Sequence, residues 1–178
     1  MRYLIVCGGK IDKEFGLNEI KTDGIDAIIA ADSGMDFLYE NGVTPDIIVG
    51  DFDSTTTNAL EYFERKGQTE IRRLNPIKDD TDTEYAIRLA ISEGARSIVL
   101  LGATGSRIDH VLGNISLLGI GLESGTDISI IDTNNRIRMA DKPVTIEKSA
   151  QYGRFVSLIA LTDDNEVSLK GFKYPVTD

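Results

Sequence analysis

Acidic residues recur at short spacings along this chain, and each group stands just after a run of apolar residues. Asp51 and Asp53 alternate in Gly50-Asp51-Phe52-Asp53-Ser54, and more acids crowd into Lys78-Asp79-Asp80-Thr81-Asp82. Carboxylates are hard oxygen ligands of the kind Mg2+ takes, commonly one or two from the protein with the rest from water and substrate phosphates. Each group also has a plainer explanation. Asp53-Ser54 would cap a helix beginning at Thr55, and Asp80 or Thr81 would cap the next one while Asp82 complements its dipole. Capping accounts for one or two acids in the second group and not for a third. Bringing Asp79 and Asp82 near Asp51 and Asp53 is repulsive without a cation, so the economical reading is a metal site made of Asp51, Asp53, Asp79 and Asp82. Lys78 then meets a phosphate. In an extended segment Asp51 and Asp53 can address one cation only if the loop turns, which Gly50 and Ser54 permit.

A different chemistry is suggested by Gly102-Ala103-Thr104-Gly105-Ser106-Arg107-Ile108-Asp109-His110. A glycine-rich turn before a helix N-terminus offers free N–H groups and the positive end of the dipole to an anion. Arg107, expected in the first turn of that helix, has a planar fork suited to two phosphate oxygens. An ordinary solvated arginine is the alternative, and His110 alone is as well explained by a structural or exposed histidine. Neither G-x-x-x-x-G-K-[ST] nor G-x-G-x-x-G occurs, so the phosphate site is neither a Walker A loop nor a dinucleotide fingerprint.

Such clusters need a scaffold, and the apolar pattern supplies one. Short β-branched runs at 2–7, 27–32, 46–50, 70–74, 97–101 and 127–132 alternate with helix-length amphipathic segments, the signature of βαβ units. Several runs are apolar on consecutive positions, as strands covered on both faces of a parallel sheet are. The clearest helix follows Arg107, with Ile108, Val111, Leu112, Ile115 and Leu122 as one stripe. Another runs from Thr81 to Glu93 and ends at Gly94, a C′ glycine. The polar clusters, with Gly8-Gly9 and Asp32-Ser33-Gly34 among them, all follow strands, and in an open α/β sheet ligands bind at that edge.

Beyond residue 132 the pattern changes. Thr133-Asn134-Asn135 reads as a turn, and short strands are expected at 136–140, 144–147, 154–161 and 166–172. The expected fold is therefore an open, mainly parallel Rossmann-like α/β sheet over residues 1–124, followed by a small all-β, sandwich-like domain over 125–178. The break is set at Ser124-Gly125, although the strand at 127–132 suits either sheet. The tail is too short to close a barrel and exposes edge strands, so either a partner subunit covers that edge, most economically in a two-fold homodimer, or the sequence is truncated.

Composition narrows the partners. The 178 residues carry 19 basic against 29 acidic side chains, a net charge of −10, which opposes a polyanionic duplex or an anionic bilayer. The single cysteine, Cys7, ends an apolar run and reads as a small buried hydrophobe. The N-terminus enters a strand directly, with no basic region, cleavage site or spanning stretch of about twenty apolar residues, so a cytoplasmic location is expected.

Taken in order, Ala31-Asp32-Ser33-Gly34, Gly50-Asp51-Phe52-Asp53-Ser54, Lys78-Asp79-x-Thr81-Asp82 with Glu84 and Ala86, and Gly105-x-Arg107-x-Asp109-His110 with Asn114 resemble the thiamine pyrophosphokinase family. Ser157-Leu158-Ile159 and Lys170-Gly171-Phe172-Lys173-Tyr174-Pro175 are similar to that family's β-domain. The resemblance implies transfer of a pyrophosphoryl group from ATP to the thiamine hydroxyl, giving thiamine diphosphate and AMP with Mg2+ as cofactor. It implies a homodimer whose active sites lie between one subunit's α/β domain and the other's β-domain. Asp51, Asp53, Asp79, Asp82 and Arg107 are then the catalytic set. Asp32, Ser33, Gly34, Lys78, Thr104, Gly105, Arg107, Asp109 and His110 are the nucleotide contacts. Two departures stand out: the family commonly has Asp-Gly-Gly at Asp32-Ser33-Gly34, and it continues past Tyr174-Pro175 into a β segment whose Ser-Asn pair lines the vitamin site.

The same residues suit other classes. An apolar strand followed by D-x-D-x-T also opens haloacid-dehalogenase-type phosphatases, where Asp51 would be a nucleophile. That motif normally follows the first strand, here two strands precede it, and Gly105 to His110 would have no role. A non-catalytic nucleotide-binding module is the remaining alternative.

Overall fold

The computed structural model describes residues 1–52, 58–75, 80–105, 107–163 and 165–176. Five parallel strands open the chain in alternation with helices. They are β1 (Arg2–Val6), β2 (Ala27–Ala31), β3 (Ile47–Gly50), β4 (Glu70–Arg73) and β5 (Ser97–Leu101), separated by α1 (Lys13–Ile20), α2 (Gly34–Glu40), α3 (Ala59–Lys66) and α4 (Asp82–Ser92). The long helix α5 (Ile108–Ser124) leads to β6 (Asp127–Ile131) and β7 (Arg136–Arg138). The sheet order is β4-β3-β2-β1-β5-β6-β7, parallel throughout except for the antiparallel β6–β7 hairpin.

This order follows from the two ways the chain leaves β1. The first crossovers step outward through β2 and β3 to β4, and α4 then carries the chain back over the sheet to start β5 on the other side of β1. Reversing direction puts the later helices on the opposite face. Alternate residues of β1 record the consequence. Tyr3, Ile5 and Cys7 pack in one core with Ala86, Ile87 and Leu118 of α4 and α5, while Leu4 and Val6 pack in another with Met35, Leu38 and Phe63 of α2 and α3. Cys7 lies in the first of these cores at 4 % exposure, where burial pushes its thiol up to about 11. Among the described residues no helix is long and apolar enough to cross a membrane.

The end of α4 behaves as its sequence predicts. Gly94 takes φ 91°, its N–H donates to the Ile91 carbonyl, and the Ala95 N–H reaches back to Ala90, the paired bonds of a Schellman motif. The start of α5 differs from expectation. Arg107 is the extended N-cap residue, and the helix begins at Ile108. Its buried stripe is also rotated: Ile108 and Leu112 are 73 % and 60 % exposed, while Leu118 and Gly121 face the sheet.

The strand after Ser124-Gly125 belongs to the first sheet. Gly125 ends α5 in the left-handed region, and β6 then pairs with β5 over its whole length, so this break is a helix-to-strand turn within one layer. Beyond Arg138 the strands expected at 144–147, 154–161 and 166–172 form no regular ladder among the described residues, where pairing is limited to an isolated bridge between Leu169 and Val176. A strand needs a partner for its backbone groups, and here the apolar side chains that would line the inner face stay outside: Phe155 is 84 % and Ile159 83 % exposed.

Candidate functional site

The parallel register aligns the strand ends. Val6 pairs with Ala30 and with Leu101, and Ala31 with Val49, so the loops after β1, β2, β3 and β5 all emerge at one edge. Three acids converge there. Asp32 follows β2, Asp51 follows β3 and Asp82 is the first residue of α4, and one carboxylate oxygen from each lies within 4.8 Å of the others.

Local backbone geometry makes this convergence possible. Asp32 adopts φ 48° while its N–H continues the ladder to the Val49 carbonyl at 2.8 Å. Aspartate tolerates the left-handed region better than most residues. Gly34 then starts α2 directly on β1: an ideal Cβ at this position would stand 1.9 Å from the Val6 carbonyl oxygen. Ser33 turns its hydroxyl over Gly8, where a Cβ would lie 2.1 Å from Oγ. The turn expected after Asp51 is made at Phe52, which takes φ 65°; Ser54 lies outside the described residues. A bulky residue in that region is strained by roughly 1–3 kcal/mol, and the Phe52 ring is held in part by the Arg73 guanidinium 5.3 Å from its centroid. Thr81 caps α4 by accepting the Glu84 N–H at 3.1 Å, which puts Asp82 in the first turn, where the dipole favours a carboxylate.

The spacing of the acids groups Asp51 and Asp82 with Asp53 and Asp79, and the family resemblance gives Asp32 to the nucleotide. The structure brings Asp32 to Asp51 and Asp82. Asp53, Asp79 and Lys78 lie outside the described residues. Three half-buried carboxylates this close repel one another, and they are the hard, all-oxygen donor set that Mg2+ takes.

The second group of predicted residues lies after β5, across β1. The loops after β1 and β5 touch: the Gly9 N–H donates to the Gly102 carbonyl at 3.0 Å, and a Cβ at Gly105 would sit 3.3 Å from the Gly9 Cα. Asn114 donates to the Ala103 carbonyl at 2.9 Å, and Thr104 donates its hydroxyl to Asp132 at 2.8 Å. Arg107 does not reach toward this loop. Its guanidinium takes Asp109 in a two-point pair, and both side chains are largely exposed, as is His110. The Arg107 hydrogen bond is the main reason the Asp109 carboxyl is held down at about 2.

Asp132 and the groove beside it went unrecognised in the sequence. A groove of about 350 Å³ opens between the β1–α1 turn and the ends of β5 and β6, walled by Ile11, Phe15, Leu101 and Ile131 and rimmed by Lys10, Thr104 and Asp132. Burial pushes the Asp132 carboxyl up, but the Asn134 N–H, the Thr104 hydroxyl and Asn135 together bring it below the usual range. The signal was present as Asp132-Thr133-Asn134-Asn135, a pattern in which an aspartate accepts from N–H groups two and three residues on.

A doubly wound sheet with an acidic cluster at its carboxyl edge and a glycine-rich loop across the switch point defines the open α/β class that binds its ligands at this edge. Comparison with known proteins makes the class specific. Residues 21–130 match the family model described as thiamin pyrophosphokinase, catalytic domain, and residues 143–178 match its vitamin B1 binding domain. The chain is 36 % identical over 152 residues to the thiamine pyrophosphokinase of Bacillus subtilis, covering 84 % of this chain and 70 % of that protein. The crystal structure of thiamine pyrophosphokinase from Bacillus subtilis superposes with a TM-score of 0.67 at 31 % identity, over 78 % of this chain and 63 % of that one. The Geobacillus thermodenitrificans structure gives 0.64 at 31 % identity, over 76 % and 61 %. The chain thus spans less than two thirds of the length of these two solved structures. It belongs to the thiamin pyrophosphokinase family. Neither the phosphatase reading nor the non-catalytic module is favoured by these matches.

Proposed function

We propose that the chain is a thiamine pyrophosphokinase, which transfers the pyrophosphoryl group of ATP to the hydroxyl of thiamine and releases AMP. The observation that carries this reading is the convergence of Asp32, Asp51 and Asp82 at the carboxyl edge of the sheet in a chain of this family. Asp32, Asp51 and Asp82 would hold Mg2+, which when bound supplies charge neutralisation to the polyphosphate. Asp53, Asp79 and Lys78 belong to the same proposed site by their place in the sequence.

Phosphoryl transfer asks the protein chiefly for alignment and for donors aimed at developing charge. Here the β5–α5 loop, with Thr104 and Gly105, binds the nucleotide at the edge of β1. Asp32, Ser33 and Gly34 flank it from β2, and Arg107, Asp109 and His110 border it from the start of α5. The thiamine oxygen forms its bond to the β-phosphorus as the bridging oxygen between the α- and β-phosphorus atoms leaves with AMP. The hydroxyl proton passes to one of the aspartates at this edge. Identification of the nucleotide released from ATP tests the reading.

Two finer points belong to the same proposal. The active assembly is a homodimer in which the apolar side chains of the C-terminal segment are covered by the second subunit, supported by the exposure of Phe155, Ile159, Leu161 and Tyr174. Sedimentation at assay concentration should give a dimer, and an active monomer would contradict it. The setting is the cytoplasm, which suits a chain whose thiol is single and buried.

A further inference from the structure

Two loops and the C-terminal segment meet at one aspartate outside the acidic cluster. Asp132 follows β6, and its Oδ2 accepts the hydroxyl of Thr104, 28 residues earlier, at 2.8 Å. Its Oδ1 accepts the backbone N–H groups of Asn134 and Asn135 at 2.8 and 2.7 Å. The Tyr152 hydroxyl donates to the Asp132 backbone carbonyl, and the Arg136 guanidinium covers the Tyr152 ring at 4.7 Å. Tyr152 lies within the segment matched by the vitamin B1 binding domain.

The backbone turn after β6 is complete without Thr104, because the Asn134 and Asn135 N–H groups are met by Oδ1, while the Asn135 side-chain amide spans Oδ1 and Oδ2 at 3.0 and 3.1 Å. What the Thr104 bond adds is a fixed distance between the end of β6 and the β5–α5 loop. Successive residues of that loop are each anchored from outside it: Gly102 by Gly9, Ala103 by Asn114 and Thr104 by Asp132. A loop held this way presents its backbone to a ligand with little reorganisation.

We propose that Asp132 is a positioning residue for the nucleotide, acting through its hydrogen bond to Thr104. The inference rests on the pyrophosphokinase reading for the identity of the nucleotide. It assigns Asp132 no contact with the reacting atoms. A hydroxyl bonded to a carboxylate is a charge-assisted link, so losing it should be visible in ATP affinity and not in thiamine affinity.

The test compares Asp132→Asn, Thr104→Val, Thr104→Ser and the Asp132→Asn/Thr104→Val double variant, reading KM for ATP, KM for thiamine and thermal unfolding. Asp132→Asn retains Oδ1 as an acceptor for the turn and puts an N–H donor opposite the Thr104 hydroxyl, so that the charge-assisted bond becomes a neutral one with its direction reversed. Each of Asp132→Asn and Thr104→Val should raise KM for ATP about tenfold, with KM for thiamine within about twofold. The double variant should also stand near tenfold, since both changes act on one link, and Thr104→Ser should recover wild-type behaviour to within about threefold. An unchanged KM for ATP in both single variants overturns the proposal. So does a multiplicative loss near a hundredfold in the double variant, or an equal rise in both KM values that tracks a lowered melting temperature. If Asp132→Asn does not fold, the Thr104→Val and Thr104→Ser pair decides. If the wild-type protein releases no AMP, the pyrophosphokinase reading fails, and calorimetric ATP titration of the same variants still decides the role of Asp132.

Discussion

Arg107 closes a two-point ion pair on Asp109, two residues along the chain: Nε reaches Oδ1 at 3.2 Å and Nη2 reaches Oδ2 at 2.6 Å. The pair is exposed, so its contribution to stability is small. Its importance is geometric, because it fixes the guanidinium plane at the entrance to α5. If the fork transfers to substrate phosphate during the reaction, Arg107→Lys keeps the charge and loses the two-point geometry. Turnover should then fall more than ATP affinity does. A change within about 0.5 kcal/mol in both calorimetric ATP binding and AMP release would return Arg107 to an ordinary surface role.

The acidic cluster gives a prediction with opposite signs for activity and stability. Asp51→Asn and Asp82→Asn should each lower turnover by roughly a hundredfold or more, the scale of losing a main electrostatic contributor. Melting temperature without divalent cation should stay level or rise for Asp51→Asn, because one of three crowded charges is gone, whereas Asp82→Asn also loses the charge favoured by the start of α4. Near-normal turnover in both variants, or full activity in excess chelator, would remove the metal site from the account.

Gly34 tests whether the site depends on how closely α2 sits on β1. A Cβ there would stand 1.9 Å from the Val6 carbonyl oxygen and 2.6 Å from its carbon, both backbone atoms that cannot swing aside. Gly34→Ala should therefore cost at least about 3 kcal/mol of unfolding free energy in a denaturant titration. A loss below about 1 kcal/mol would mean that the start of α2 shifts readily and that Asp32 is less firmly placed than its backbone suggests.

Much of this arrangement is legible in the residues, because the physics that sets it is local. Consecutive apolar positions in β1, β3 and β5 mark strands covered on both faces, and Gly94 and Thr81 bound α4 by capping rules that need only nearby atoms. What depends on distant contacts is harder to read. Nothing near Asp32 shows that its carboxylate meets Asp51 and Asp82, since that follows from the order of β2 and β3 in the sheet and from the return path of α4. Thr104 and Asp132 stand 28 residues apart and meet only because β6 pairs with β5. The stripe of α5 leaves Ile108 and Leu112 exposed because periodicity shows that a helix has an apolar face without showing where that face stops meeting the sheet. Alternation in the C-terminal segment measures fitness for a ladder and does not supply the partner.

The central claim is a reaction, and its nucleotide product discriminates most directly. Purified protein incubated with ATP, Mg2+ and thiamine should release AMP in step with thiamine diphosphate, and omission of thiamine should abolish release. Attack at the γ-phosphorus would give ADP, simple hydrolysis would give inorganic phosphate, and a nucleotide sensor would leave ATP intact. Any of those results, from wild-type protein that binds ATP and is folded by thermal melt, would contradict the account.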